Sequence, residues 1–209
     1  AARVRDQWCQ GAGLRQWGLG GRGAALEQAL ARGGATEPRV HLSLGILALR
    51  AGRFAMADEH FMRARPLFGS KAPSPVWYHS AGLAAGLSGD VVKAIEILTE
   101  GAAAHPGAAA LHNNLSVALA AVGRSEEAVQ AIDRGISADS SLAPLHRNRG
   151  DLMLASGQPD RALEEYLRAV KHHETLGPEV WARIGGLRAA HREMTEAVSA
   201  WERALQLDP

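Results

Sequence analysis

The chain has 209 residues, 46% of them hydrophobic but only 5% aromatic. Much of any core is therefore alanine, whose backbones must pack closely, and this favours helix on helix over a thick sheet sandwich. The 23 basic and 22 acidic residues leave a net charge of +1, which argues against bulk attraction to nucleic acid or to a membrane surface, and no apolar run approaches the ~20 residues that span a bilayer.

The N-terminal stretch "AARVRDQWCQGAG" lacks the apolar core of a signal peptide. Its Cys9 is the single cysteine, so no internal disulfide forms. No basic cluster surrounds Cys9 to lower its pKa, and it reads as an incidental residue of a helix rather than a reactive thiol. The Gly-rich "GAGLRQWGLGGRG" at 11–23 invites a nucleotide-loop reading. It has no Lys-Ser/Thr and no preceding β-branched strand, so a turn between helices fits it better. "GAALEQALARGG" then reads as a second helix behind a degenerate first one, making residues 1–37 a divergent N-terminal repeat or cap.

From residue 38 the chain is periodic. The phrases "GRFAMADEHFMRA", "GDVVKAIEILTEG", "GRSEEAVQAIDRG", "GQPDRALEEYLRA" and "REMTEAVSAWERA" begin at Gly52, Gly89, Gly123, Gly157 and Arg192. Five residues into each stands Ala57, Ala94, Ala128, Ala162 or Ala197, at spacings of 37, 34, 34 and 35. Four residues on comes a large side chain: Phe61, Leu98, Ile132, Tyr166 or Trp201. Seven past each alanine is a small residue, and twelve before it another: Gly45, Gly82, Ser116, Gly150 or Gly185. A glycine inside a helix costs about 1 kcal/mol relative to alanine. Its recurrence implies the close approach of a second backbone, with the large residue filling the gap. One hairpin cannot bury its own apolar face, so the hairpins are expected to stack.

This pattern resembles the tetratricopeptide repeat family. The resemblance rests on the period of 34, on the order of the small and large columns, and on the closing phrases "AHPG" and "QLDP". It covers five units, 38–74, 75–108, 109–142, 143–177 and 178–209, with the extra residues in the Gly- and Pro-containing "FGSKAPSP" and "HHETLGP". It implies an all-α, right-handed solenoid of antiparallel helix hairpins. Arg149 and Arg188, where the family has Leu- or Tyr-like residues, and Arg192 in place of a turn glycine put local packing in question.

Little points to catalysis. His41, His112 and His146 share one column with Tyr78 and Trp181, so they read as planar packing groups a repeat apart and not as a ligand cluster. His172–His173 end a helix, where cations suit its dipole. The acid pairs Glu126–Glu127 and Glu164–Glu165 are expected on solvated outer turns. No catalytic residue, cofactor or metal is expected.

The surface made by the first helices is the remaining candidate. In "LHNNLSVALAA" the stripe Leu111, Leu115, Leu119 is the core face, while Asn113, Val117 and Ala121 form a second stripe, with Asn114 beside it. The equivalents in neighbouring units extend a polar ladder: His79 and Ser80, Asn113 and Asn114, Arg147 and Asn148, then Arg183. An asparagine amide both donates and accepts, so such rungs can pair with successive peptide units of an extended guest. Asn114 and Asn148 are similar to the asparagine ladder of O-GlcNAc transferase-like repeats, with Arg183 in place of a third rung. Arg147 and Arg183 are alternatively placed to hold a guest carboxylate. A blander reading has Arg147 paired with Asp151, four residues on, and the asparagines solvated. The expected peptide-binding groove thus comprises His79, Asn113, Asn114, Arg147, Asn148, Asp151 and Arg183.

At the C-terminal end Val198, Trp201 and Leu205 share a helix face with no sequence after it to cover them. Either the chain is a fragment of a longer protein or this end makes a contact, self-association included. The expected function is a scaffold that binds an extended segment of another protein. The alternative is the substrate-recruiting arm of a larger enzyme, such as a glycosyltransferase or sulfotransferase.

Overall fold

A computed structural model describes residues 37–173 and 176–208. The expectations for residues 1–36, namely the cap or divergent repeat, Cys9 and the Gly-rich turn, lie outside the described residues. Ten α-helices follow in order: α1 (Pro38–Arg50), α2 (Phe54–Ala64), α3 (Pro75–Ser88), α4 (Val91–Ala104), α5 (Ala109–Ala121), α6 (Ser125–Ala138), α7 (Ala143–Ala155), α8 (Pro159–His172), α9 (Pro178–Ala190) and α10 (Met194–Leu207). They pair into five antiparallel hairpins, and a 3-10 turn at Arg65–Phe68 extends the first into its long loop.

The hairpin turns are made alike. The residue five past the last inner carbonyl closes each turn: Arg53 N to Ala48 O, Asp90 N to Ala85 O, Arg124 N to Leu119 O, Gln158 N to Met153 O and Glu193 N to Arg188 O, all within 2.9–3.0 Å. The residue before each donor has positive φ, between 63° and 102°. Four of these are the turn glycines, which adopt it freely. The fifth is Arg192 at φ 63°, which keeps the same turn without a glycine.

The small and large columns meet as expected. A Cβ placed on Gly45, Gly82 or Gly150 would stand 2.5, 2.6 or 2.7 Å from Phe61, Leu98 or Tyr166. Gly185 lies likewise against Trp201. Gly101, in the second small column, lies against Tyr78, and Gly135 against Leu145 of the following hairpin. Phe61, Tyr166 and Trp77 are fully buried, each contributing roughly 1.5–3 kcal/mol of transfer free energy. The last also donates from Nε1 to the Phe61 carbonyl at 3.0 Å.

In the third hairpin the two helices are buried differently: α5 buries nine of its thirteen residues, whereas α6 buries four, Ala128, Ala131, Ile132 and Gly135, along a single stripe. There the first helix is sandwiched between neighbours and the second faces water, while in the last hairpin α9 and α10 bury three residues each. First helices also touch one another: α1 with α3, α3 with α5, α5 with α7. No two second helices among the described residues come as close, so the stack bends with the first helices along its inner side.

Two departures from the repeat pattern are accommodated by charge. Arg149 reaches Asp133 at 3.0 Å and Glu165 at 3.4 Å, and Arg188 pairs with Glu193 across the last turn. One expectation is corrected. Glu164 is exposed, but Glu165 is buried at 5% exposure, bonded to His146 Nδ1 at 2.8 Å and to Arg168 at 2.6 Å. A buried carboxylate persists only when so partnered. The histidine column explains its place: His112 occupies the same position one repeat earlier, where the counterpart of Glu165 is Ala131, and the His112 Nδ1 has no hydrogen-bond partner among the described residues.

Candidate functional site

The helices α3, α5, α7 and α9 bring the predicted ladder residues onto one surface. Helices α3, α5 and α7 each carry two adjacent polar positions and α9 only the second, and the asparagine at the second position of α5 and of α7 reaches back to the first position of the preceding helix. Asn114 Nδ2 lies 3.0 Å from His79 Nδ1, and Asn148 Nδ2 donates to Asn113 Oδ1 at 2.8 Å. Asn113 Nδ2 in turn donates to Asn114 Oδ1 at 3.4 Å, which joins the two steps. An unbroken chain of side-chain hydrogen bonds thus runs through three hairpins.

These groups are not open rungs. Asn113, Asn114, Arg147 and Asn148 are 4%, 7%, 5% and 7% exposed. Their amides bond to one another, and the reading that they are merely solvated is corrected by this burial. Burial pushes the His79 imidazole below the ordinary 6.5, and Nδ1 must carry a lone pair to accept from the Asn114 amide N–H.

The ladder changes character at α9. There the second position is Arg183 and the first position of α7 is Arg147, so continuing the pattern would set two guanidinium groups against each other. Arg147 instead turns back to Asn148, its Nε and Nη2 donating to Oδ1 at 3.2 and 3.1 Å, with Glu179 at 4.0 Å. Arg183 goes to Asp151 and lies 3.2 Å from the Tyr166 hydroxyl. Asp151 also accepts from that hydroxyl at 2.6 Å. The blander reading, an Arg147–Asp151 pair, is therefore replaced by two other pairings, and α7 and α9 approach less closely than the preceding first helices do. Burial lowers the Arg147 pKa, with Glu179 opposing.

Beside the ladder lies a half-open cavity of about 180 Å³. Its walls on α5 are Ser116, Val117 and Ala120, and those on α7 are Asn148, Asp151, Leu152 and Ala155. Val117, Asn148 and Asp151 belong to the surface read from the sequence, and Ala155 is the counterpart there of Ala121. Ser116, Ala120 and Leu152 do not belong to it, because the first sits in the small column and the others in neither stripe. The rim is small: Ala120 and Ala155 are exposed. Further along α9, Arg183 and Gly186 are exposed as well.

The predicted end residues lie apart from this surface. On α10, Val198, Trp201 and Leu205 are 47%, 37% and 67% exposed. No group of three or more metal-binding side chains occurs among the described residues, and no helix there is long and apolar enough to cross a membrane.

Residues 87–147 and 147–209 each match a tetratricopeptide repeat family profile. No curated protein matches the sequence. Solved structures of similar fold include a thermophilic TPR protein of Thermus thermophilus, with TM-score 0.67 and 22% identity over 82% of this chain and 92% of that one. Pseudomonas aeruginosa pilF has TM-score 0.74 and 19% identity, covering 86% and 79%. YrrB, described as a TPR protein with an unusual peptide-binding site, has TM-score 0.61 and 14% identity, covering 88% and 93%. At these identities the likeness establishes the shared fold.

Proposed function

This chain belongs to the tetratricopeptide repeat family, whose repeats mediate protein–protein interactions, and from that premise we propose that it is a scaffold holding an extended segment of another protein along the face of its first helices. The observation that supports this reading is the openness of that face from α5 onward. Ala120, Ala155, Arg183 and Gly186 are exposed there, and small side chains leave room for a second backbone. A peptide-binding site is described for the similarly folded YrrB.

The asparagines take a different part in it from the one their resemblance to O-GlcNAc transferase-like repeats suggests. Asn113, Asn114 and Asn148 fix the spacing of neighbouring first helices and so shape the groove. Direct guest contacts fall to the exposed residues, with Arg183 as a donor at the rim. The test is binding of displayed linear peptides to the full chain and to Gly186→Glu, which adds bulk and charge to the open face without a neighbour to strike. Peptides that bind the wild type and lose about tenfold or more on the variant, at unchanged melting temperature, support the groove. Failure to enrich any linear peptide, or equal binding to both, overturns it.

A second reading concerns the α10 end. Leu163 and Val170, the counterparts of Val198 and Leu205 on α8, are buried in one cluster with Val180 and Ile184 of α9. We propose that the exposed α10 face is covered in the same way by a second copy of the chain, making it a self-association surface.

A further inference from the structure

We propose that the cavity between α5 and α7 is a pocket for one apolar side chain of leucine, methionine or phenylalanine size, presented by the extended segment that the groove binds. The inference rests on the groove reading and adds the chemical class of the guest.

Size selects the class. Drug-sized ligands and cofactors occupy about 300–1,000 Å³, and the 180 Å³ here is too little. An apolar cavity of about 150 Å³ holds a benzene ring, so one large side chain fits.

The chemistry of the walls favours an apolar occupant. Val117, Ala120, Leu152 and Ala155 offer only hydrocarbon, and Ser116 is 1% exposed. Asn148 and one oxygen of Asp151 are already engaged. Asn148 donates to Asn113 and accepts two bonds from Arg147. Asp151 accepts from Tyr166 and Arg183 through Oδ1. Water in such a space finds few partners, and exchanging poorly bound water for an apolar group favours binding.

The sequence columns show why the space opens at this junction. At the α3–α5 junction the counterpart of Val117 is Leu83, 2% exposed, and that of Asp151 is Val117. Two apolar side chains fill the gap there. Between α5 and α7 the leucine has become a shorter valine. The second position has become Asp151, whose carboxylate is drawn toward Tyr166 and Arg183. The alanines at the rim leave the opening unobstructed.

The experiment has two arms, both on the full chain. In the first, N-acetyl-leucine N-methylamide is titrated against protein carrying labelled methyl groups, and the NMR shifts of Val117, Ala120, Leu152 and Ala155 are followed. Saturable shifts at tens of millimolar are expected. They should be absent with N-acetyl-aspartate N-methylamide and with the cavity-filling variant Ala155→Leu, whose side chain is tolerated at an exposed helix position. No saturable shift, or shifts that persist in Ala155→Leu, overturns the pocket.

In the second arm, linear peptides selected against the wild type should carry an apolar residue at one fixed position and lose about tenfold on Ala155→Leu. Peptides without that preference, or indifferent to the filling, overturn the pocket while the groove stands. If no peptide is selected although the leucine probe still shifts the methyls, the groove and the guest assigned here both fall.

Discussion

Asn148 donates to Asn113 across 2.8 Å at the junction of the third and fourth hairpins, with both side chains less than a tenth exposed. The carbonyl oxygen of the Asn148 amide accepts from Arg147. Truncating Asn148 to alanine removes a donor from Asn113 and the acceptor from a buried guanidinium. Leaving such groups unsatisfied costs about 1–3 kcal/mol. Asn148→Ala should therefore lower unfolding stability in urea by that amount, and Asn113→Ala should add less on top than it costs alone. A loss within measurement error for Asn148→Ala would show that the ladder does not hold the junction. The same reasoning separates stability from binding, because weaker partner affinity in these variants would report a loosened groove, and the exposed positions are the cleaner probes.

Arg192 holds a left-handed turn conformation that its four counterparts leave to glycine. For a residue with a Cβ that conformation costs roughly 1–2 kcal/mol, offset in part by the larger unfolded entropy of glycine. Arg192→Gly should raise stability by about 0.5–1 kcal/mol, read as an increase in melting temperature. A decrease would mean that the arginine side chain contributes more than the turn geometry costs.

The repeat columns make the fold legible in the sequence. Period, turn glycines and the pairing of Gly45, Gly82, Gly150 and Gly185 with large partners follow from backbone packing, which recurs every repeat. What could not be read was which way individual polar side chains turn. Asn113 and Asn114 lie on the inner stripe, as helical geometry required, but their bonding to His79 and Asn148 depends on how closely neighbouring first helices approach. Glu165 was misplaced for a related reason: an acid beside an exposed acid looks solvated, and only the histidine column one helix away supplies its burial. The Arg147 and Arg183 rearrangement needed Tyr166, assigned by its column to packing alone, to offer its hydroxyl to Asp151.

Two glycines in helix interiors should respond oppositely to alanine. A methyl on Gly150 would meet the fully buried ring of Tyr166 at 2.7 Å, and that ring is held by its bond to Asp151. Overpacking of this kind costs about 1–3 kcal/mol. Gly186 has nothing within 4 Å of the same position and is exposed, so Gly186→Ala should gain about 0.5–1 kcal/mol from helix propensity alone. Equal effects at the two sites, measured by chemical denaturation, would contradict the close-approach reading of the column.

The proposed end contact is best tested away from Trp201. That ring packs against Gly185 within its own hairpin, so Trp201→Glu would damage the fold as well as the surface. Leu205 is 67% exposed, and Leu205→Glu changes only what faces outward. Sedimentation of the wild type should depend on concentration, and that dependence should vanish in Leu205→Glu at unchanged melting temperature. Concentration-independent sedimentation of the wild type would remove this surface from consideration.

Protonation should loosen the ladder from its first rung. His79 accepts from Asn114 only when neutral, and burial holds its pKa below 6.5. His60 is depressed too, first by burial, then by repulsion from His41 and Arg63, with Glu59 opposing. Below 6.5 the unfolded chain binds protons that the folded chain refuses, so stability rises with pH across that window. The contribution is intact above the unfolded value of 6.5 and is lost as pH falls from there through the lower folded values. The urea midpoint should thus drop between pH 7.5 and 5.5. His79→Gln retains an acceptor for Asn114 but does not titrate, so it should keep most of the stability at pH 7.5 while flattening the decline, and adding His60→Gln should flatten it further. A decline as steep in the double variant as in the wild type would place the sensitivity in other groups and leave the ladder indifferent to pH.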